Sequence, residues 1–212
     1  MNNNNILKGI FCIIIAGFGF ALMSLFVKLS GDLPSMQKGF FRNIIAVFLS
    51  LIPLIKHWKV INIPRNNTGW LVLISRSVFG TIGLVLNFYA ISHISLADSS
   101  IIQKLSPFII IILSYIFFKE EMTRFQVFAI IIAFIGITLI IKPSGNNIIS
   151  MGALAALLGA LCAGIAYTCV RYLGTHNISG EFIIFFFSSL SSLMLLPYLI
   201  LDYRTMTYYQ LS

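Results

Sequence analysis

Apolar residues in this chain fall into long unbroken runs, with neither the alternation of a half-buried strand nor the narrow stripe of a surface helix. The runs cover residues 8–29, 37–55, 69–92, 97–118, 123–141, 151–173 and 180–201. Each is close to the roughly 20 residues an α-helix needs to cross a bilayer. Turn signals separate them. Gly31-Asp32-Leu33-Pro34 divides the first pair, and Asn62 to Thr68, with Pro64, divides the second. Ser92-His93, Lys119-Glu120-Glu121, the stretch Lys142 to Asn147 and the pair Gly174 and Asn177 mark the others. The pattern predicts an all-α polytopic membrane bundle of seven transmembrane helices. Strands of a membrane barrel run to only about ten alternating residues, which excludes that alternative. Most connections are short, so sequential helices are expected to run antiparallel.

Composition agrees. Of 212 residues, 58% are hydrophobic and 9% charged, against roughly 25% charged in a soluble domain. Mean hydropathy is +0.97. The net charge of +8 raises the question of nucleic acid, but the basic residues are scattered between apolar runs and form no stripe. The bilayer is the expected partner, and nucleic acid is not. Cys12, Cys162 and Cys169 lie inside apolar runs without metal-ligand spacing. The first run is too long for a signal-peptide core. Neither a cofactor nor a metal site is expected. Lys56, Lys59 and Arg65 in the longest early loop place the N-terminus in the cytoplasm, with Lys8, Lys119, Arg124 and Arg171 on that side. Lys28, Lys38, Lys142 and Arg204 fall on the other.

The fourth run poses a chemical question. "SIIQKLSPFIIIILSYIFFKEE" carries Lys104 and Pro107 within an apolar segment. A lysine at a helix centre costs about 2.5–3.5 kcal/mol, which a dozen apolar neighbours can offset. Such a charge must face protein or water. Pro107 removes a backbone donor and is expected to free the carbonyl of Gln103. Gln103, Lys104 and loosened backbone therefore meet at one place, a candidate solute contact, although Lys104 also lies near enough to the helix start to snorkel. Arg42 and Arg76 sit early in their segments, where snorkelling accounts for each. Asn87 lies mid-segment, where an amide can bond across helices. Asp98 or Ser99 suits an N-cap. Glu120 and Glu121 are expected to pair with Lys119 and Arg124. Gly152, Ala156, Ala160 and Gly164 recur every four residues, a stripe that permits close helix approach.

The chain also repeats itself. "GIFCIIIAGFGFALMSLFVKLSG" (Gly9 to Gly31) aligns with "GALAALLGALCAGIAYTCVRYLG" (Gly152 to Gly174), setting Lys28 against Arg171. A unit of five helices is odd in number, so a second copy enters the membrane from the opposite side, an inverted-topology repeat. The expected division is a first five-helix repeat over 1–143 and the start of a second, incomplete one over 144–212. A complete second unit needs three further helices. That makes a half-transporter, paired as a homodimer or with a partner chain, or a non-transporting remnant, the alternative to a working carrier.

"FALMSLFVKLSG" (Phe20 to Gly31), "QKGFFRN" (Gln37 to Asn43) and the stretch from Leu96 to Pro143 resemble the drug/metabolite transporter superfamily of EamA type. The family's alanine, proline and acidic residue correspond to Ala97, Pro107 and Glu120 or Glu121. The resemblance implies ten helices in two inverted repeats and transport of a small metabolite by alternating access, and it raises the standing of Arg42. The first segment holds no central carboxylate of the kind a carrier of organic cations needs. Arg42, Arg76 and Lys104 are basic, so the expected solute is anionic or zwitterionic, such as an amino acid. A membrane enzyme would need clustered Asp, Glu or His at one face. His57, His93 and His176 have no acidic cluster beside them, so no enzyme is expected.

Overall fold

The computed structural model describes residues 3–56, 60–141 and 150–206. The stretch Lys142 to Asn147, with Pro143, and His57 and Lys59 lie outside the described residues. Among the described residues no strand occurs. The helices are α1 (Asn3–Leu29), α2 (Ser35–Lys56), α3 (Asn67–His93), α4 (Leu96–Gln103), α5 (Ser106–Phe118), α6 (Arg124–Ile141), α7 (Met151–Thr175) and α8 (Gly180–Leu201). With α4 and α5 counted as one crossing, these are the seven expected segments. Six are long and apolar enough to span a membrane, and the stretch Arg124–Gly136 within α6 is a shorter apolar helix.

The fourth segment is not the continuous helix expected. α4 stops at Gln103, and α5 begins at Ser106 with Pro107 in its first turn. Proline suits that position because the first helical amides lack partners anyway. Between the two helices, the amides of Lys104 and Leu105 bond the carbonyls of Ile101 and Ile102, both at 3.0 Å. These three-residue bonds tighten the end of α4. The expected free carbonyl of Gln103 is corrected: it accepts a hydrogen bond from Ser106 Oγ at 2.7 Å. The cap of α4 is neither Asp98 nor Ser99 but Ser95, whose Oγ accepts from the Asp98 amide at 3.0 Å.

α7 is the spine of the bundle. It packs most extensively on α3 and also on α4 and α5, while α2 packs on α8. The small residues explain why. Ala156 and Ala160 are fully buried. A Cβ on Gly152 would meet Ile94 Cγ2 at 2.6 Å, and one on Gly164 would meet Ile109 Cγ2 at 2.5 Å. From the α3 side, a Cβ on Gly83 would lie 3.2 Å from the Gly159 carbonyl and from the Ala163 amide nitrogen. Lipid is as apolar as a leucine side chain, so helices associate here through such contact rather than through exclusion of water.

Polar ties fasten both ends. At one end Lys28 Nζ donates to the carbonyls of Ile91 (2.6 Å) and Ile94 (2.8 Å). Lys38 Nζ donates to the carbonyls of Val27 (3.1 Å) and Gly31 (2.8 Å) and to Ser92 Oγ (3.2 Å). Both ammonium groups thus sit on carbonyls at the carboxyl ends of α1 and α3, where positive charge is favoured. Gln37 exchanges two hydrogen bonds with the backbone of Arg204 (2.8 and 3.2 Å). At the other end the Ser179 amide donates to the Asn62 carbonyl (3.1 Å), and the Asn62 amide donates to Ser179 Oγ (2.9 Å). Glu120 pairs with Arg171 of α7 at 2.6 Å, in place of the expected Lys119 or Arg124. The same arginine donates to Ser114 Oγ at 2.7 Å. Lys119 instead ends α5 in the left-handed conformation, at φ 52°.

Two outcomes check this packing. Gly164→Val forces extra atoms against Ile109 and is expected to destabilise by about 1–3 kcal/mol. Gly17→Ala, where a Cβ meets nothing within 4 Å, is expected to leave the thermal midpoint in detergent unchanged or raised. Lys38→Met strands buried acceptors and is expected to cost about 1–3 kcal/mol. Arg171→Met removes a pair whose side chains are 44% and 48% exposed, for a loss nearer 0–1 kcal/mol. Equal midpoints for Lys38→Met and Arg171→Met would contradict the role given to Lys38.

Candidate functional site

The first two turns of α2 are buried on more than one side, at Gln37, Lys38, Gly39, Phe40 and Asn43. Arg42 follows seven residues after Ser35, about 10 Å along the axis. Asn43 beside it is fully buried, and its Nδ2 donates to Ser191 Oγ at 2.6 Å. Its Oδ1 accepts from Arg42 Nη1 at 2.8 Å. The serine-rich middle of α8 provides the opposing polar surface, with Ser188, Ser191 and Ser192 buried.

Arg76 approaches from α3, nine residues after Asn67 and about 14 Å in from the opposite end. α3 runs antiparallel to α2, since Lys38 at the start of α2 meets Ser92 at the end of α3. Both arginines therefore lie within the roughly 30 Å hydrocarbon depth. The Arg76 guanidinium carbon stands 4.2 Å from the centroid of the Phe187 ring and 6.0 Å from that of Tyr167. A cation over an aromatic face recovers part of its lost hydration. Gly80, one turn further along α3, makes room for this. A Cβ there would collide with Arg76 Nη1 and come within 2.8 Å of Phe187. Arg76 Nε is buried with no hydrogen-bond partner. Snorkelling therefore does not describe this residue, which turns inward onto α8.

α8 brings the two arginines to one region: Asn43, which holds Arg42, bonds Ser191, and Arg76 lies on Phe187 one helical turn away on the same face. Among the described residues neither guanidinium forms a salt bridge, in contrast to Arg171 with Glu120. Positive charge at membrane depth is costly and normally finds a partner or water. Two cations held against α8 one turn apart, with no salt bridge among the described residues, are therefore the outstanding electrostatic feature of the bundle.

The other expected residues lie elsewhere. Lys104 ends α4 on an exposed face, and Gln103 Oε1 is buried without a partner. Both stand at the break between α4 and α5, and no hydrogen bond links either to Arg42 or Arg76 among the described residues. Asn87 lies about 16 Å beyond Arg76 along α3, where the backbone passes close to Gly159 of α7. Sequence reasoning passed over Asn43, Ser191, Phe187 and Tyr167. The adjacency of Asn43 to Arg42 and the two serine doublets of α8 were the signals that pointed to a polar seam.

Comparison with known proteins bears on what this arrangement serves. The pattern of the EamA-like transporter family matches residues 7–142. The chain is 31% identical over 197 residues to the pseudopaline exporter CntI of Pseudomonas aeruginosa, covering 92% of this chain and 68% of that protein. An uncharacterized transporter of Helicobacter pylori is 30% identical over 170 residues, covering 79% of this chain and 56% of that protein. Solute carrier family 35 member G1 of Mus musculus is 30% identical over 179 residues, covering 78% of this chain and 48% of that protein. The chain thus spans between about half and two thirds of the length of these relatives. No solved structure matches. A match over most of the chain, set on a bundle of apolar helices with a polar seam inside, identifies this multi-pass membrane protein as a member of the EamA-like transporter family.

Proposed function

We propose that the chain carries a small carboxylate-bearing metabolite across the membrane by alternating access, with Arg42 and Arg76 as the contacts for its negative charge. The observation that carries this reading is the pair of guanidiniums inside the bundle, set against Ser191 and Phe187 of α8, with no salt bridge among the described residues. A transported anion supplies the missing charge while it is bound and leaves the pair open when it departs. The Pseudomonas relative is named as an exporter, which supports outward movement of a small solute. Gln103, Lys104 and Asn87 are proposed as further polar contacts along the path, on the strength of the break between α4 and α5 and the mid-helix amide.

The inverted repeat belongs to the same reading. The end of α1 lies beside Ile94, at the bundle end that holds Lys38 and Arg204. The matching end of α7 lies beside Glu120. Opposite placement of Lys28 and Arg171 supports the division into 1–143 and an inverted unit from 144. Lys56, Arg65, Lys119, Arg124 and Arg171 gather at the Glu120 end of the helices, which supports a cytoplasmic position for that end and for the N-terminus. Tyr167 leaves the outer side of the arginine pair open, at 44% exposed. A partner chain or second copy covering it is the alternative in which this chain forms half of a carrier.

Flux of radiolabelled glutamate in proteoliposomes tests the site. Arg42→Gln and Arg76→Gln are each expected to lower flux tenfold or more, the effect of about 1.5–3 kcal/mol from a hydrogen bond to charge. Lys104→Met is expected to lower it less than about fivefold. Unchanged flux in both arginine variants would sink the assignment. Cross-linking between copies through Tyr167→Cys reports on the half-carrier alternative.

A further inference from the structure

We infer that this site selects solutes with two acidic groups, one for each guanidinium. The inference rests on the transporter reading above and narrows it. Its basis is charge balance together with the way each arginine is held.

A single carboxylate between Arg42 and Arg76 leaves one net positive charge among Phe187, Tyr167 and the buried serines of α8. In a low-dielectric interior that residual charge is strongly disfavoured. A zwitterion does worse, because its ammonium brings the count back to two. A dianion neutralises both guanidiniums.

The geometry also offers two separate docking edges rather than one. Arg42 gives Nη1 to Asn43 Oδ1, and Asn43 is itself fixed by Ser191. The plane of Arg42 is thereby set, and Nη2 and Nε form no protein hydrogen bond among the described residues. Arg76 has one face against Phe187, so it can recognise an anion only along its rim. Its buried Nε, without a partner, lies on that rim. A guanidinium edge with two parallel N–H groups matches one carboxylate. Two such edges on α2 and α3, held by different neighbours, match two carboxylates on one flexible or suitably spaced backbone. Asn43 is a positioning residue in this arrangement, acting through Arg42.

Isothermal titration calorimetry on the full chain in nanodiscs tests the inference, using succinate, glutarate, adipate, butyrate and glycine at fixed pH and ionic strength. At least one dicarboxylate is expected to bind about tenfold to hundredfold more tightly than butyrate, with glycine weakest. Arg42→Gln and Arg76→Gln are each expected to remove that dicarboxylate's advantage over butyrate, bringing the ratio of the two affinities to about one. Elution as a single species in size-exclusion chromatography establishes that the variants are folded. Where a glutamine variant does not fold, Arg42→Lys or Arg76→Lys keeps the charge but loses the planar edge. Either lysine variant is expected to weaken the dicarboxylate more than butyrate, and equal weakening overturns the proposal. Butyrate binding as tightly as every dicarboxylate also overturns it, yet leaves a carboxylate site standing. Absence of binding by all the carboxylates removes both this inference and the functional reading beneath it.

Discussion

Everything in this bundle depends on how near two helix backbones can come to α7. In lipid, apolar side chains gain little by leaving one apolar surface for another, so contact area and backbone proximity must hold the helices. Gly152, Ala156, Gly159, Ala160 and Gly164 allow it. Where Gly83 faces Gly159, α3 and α7 meet almost backbone to backbone. This crossing sets the rotation of α3, and with it the direction in which Arg76 projects. Gly80 then lets the guanidinium lie on Phe187 of α8. Packing of small residues and placement of charge are thus one chain of cause.

The cations of this protein separate by what surrounds them. Lys28 and Lys38 are spent on carbonyls at helix ends, where the helix dipole and the orphan acceptors both favour them. Arg171 is spent on Glu120 and Ser114. Among the described residues Arg42 and Arg76 are engaged only by a neutral amide and by aromatic rings, which orient them without cancelling their charge. That contrast, more than the number of basic residues, sets the pair apart from the other cations of the bundle.

Much of this was legible in the sequence. The apolar runs located the helices, six of them long and apolar enough to cross a bilayer, because a membrane helix declares itself by length and lack of charge alone. The small-residue stripe of α7 was likewise visible as a spacing. Lys104 and Pro107 were seen as a disturbance, but its form was not predicted. Whether a proline kinks a helix or starts a new one depends on local bonds such as that from Ser106 Oγ to the Gln103 carbonyl. The partner of Glu120 was misjudged because neighbours in sequence were considered and Arg171 is far away in the chain. Arg76 looked like an interfacial residue because its depth was counted along α3, whereas its burial is decided by Phe187 and Gly80. The Asn43–Ser191 bond joins residues distant in sequence, which no local pattern can foretell.

The junction of α4 and α5 carries a mechanical consequence. A continuous helix resists flexing because the rungs of its backbone ladder must lengthen or snap. Here the regular rungs at the midpoint give way to three-residue bonds, and the bond from Ser106 Oγ to the Gln103 carbonyl spans the junction. The α4–α5 segment is therefore two rods tied by short bonds, a place where a change of angle disturbs fewer regular rungs than in an unbroken helix.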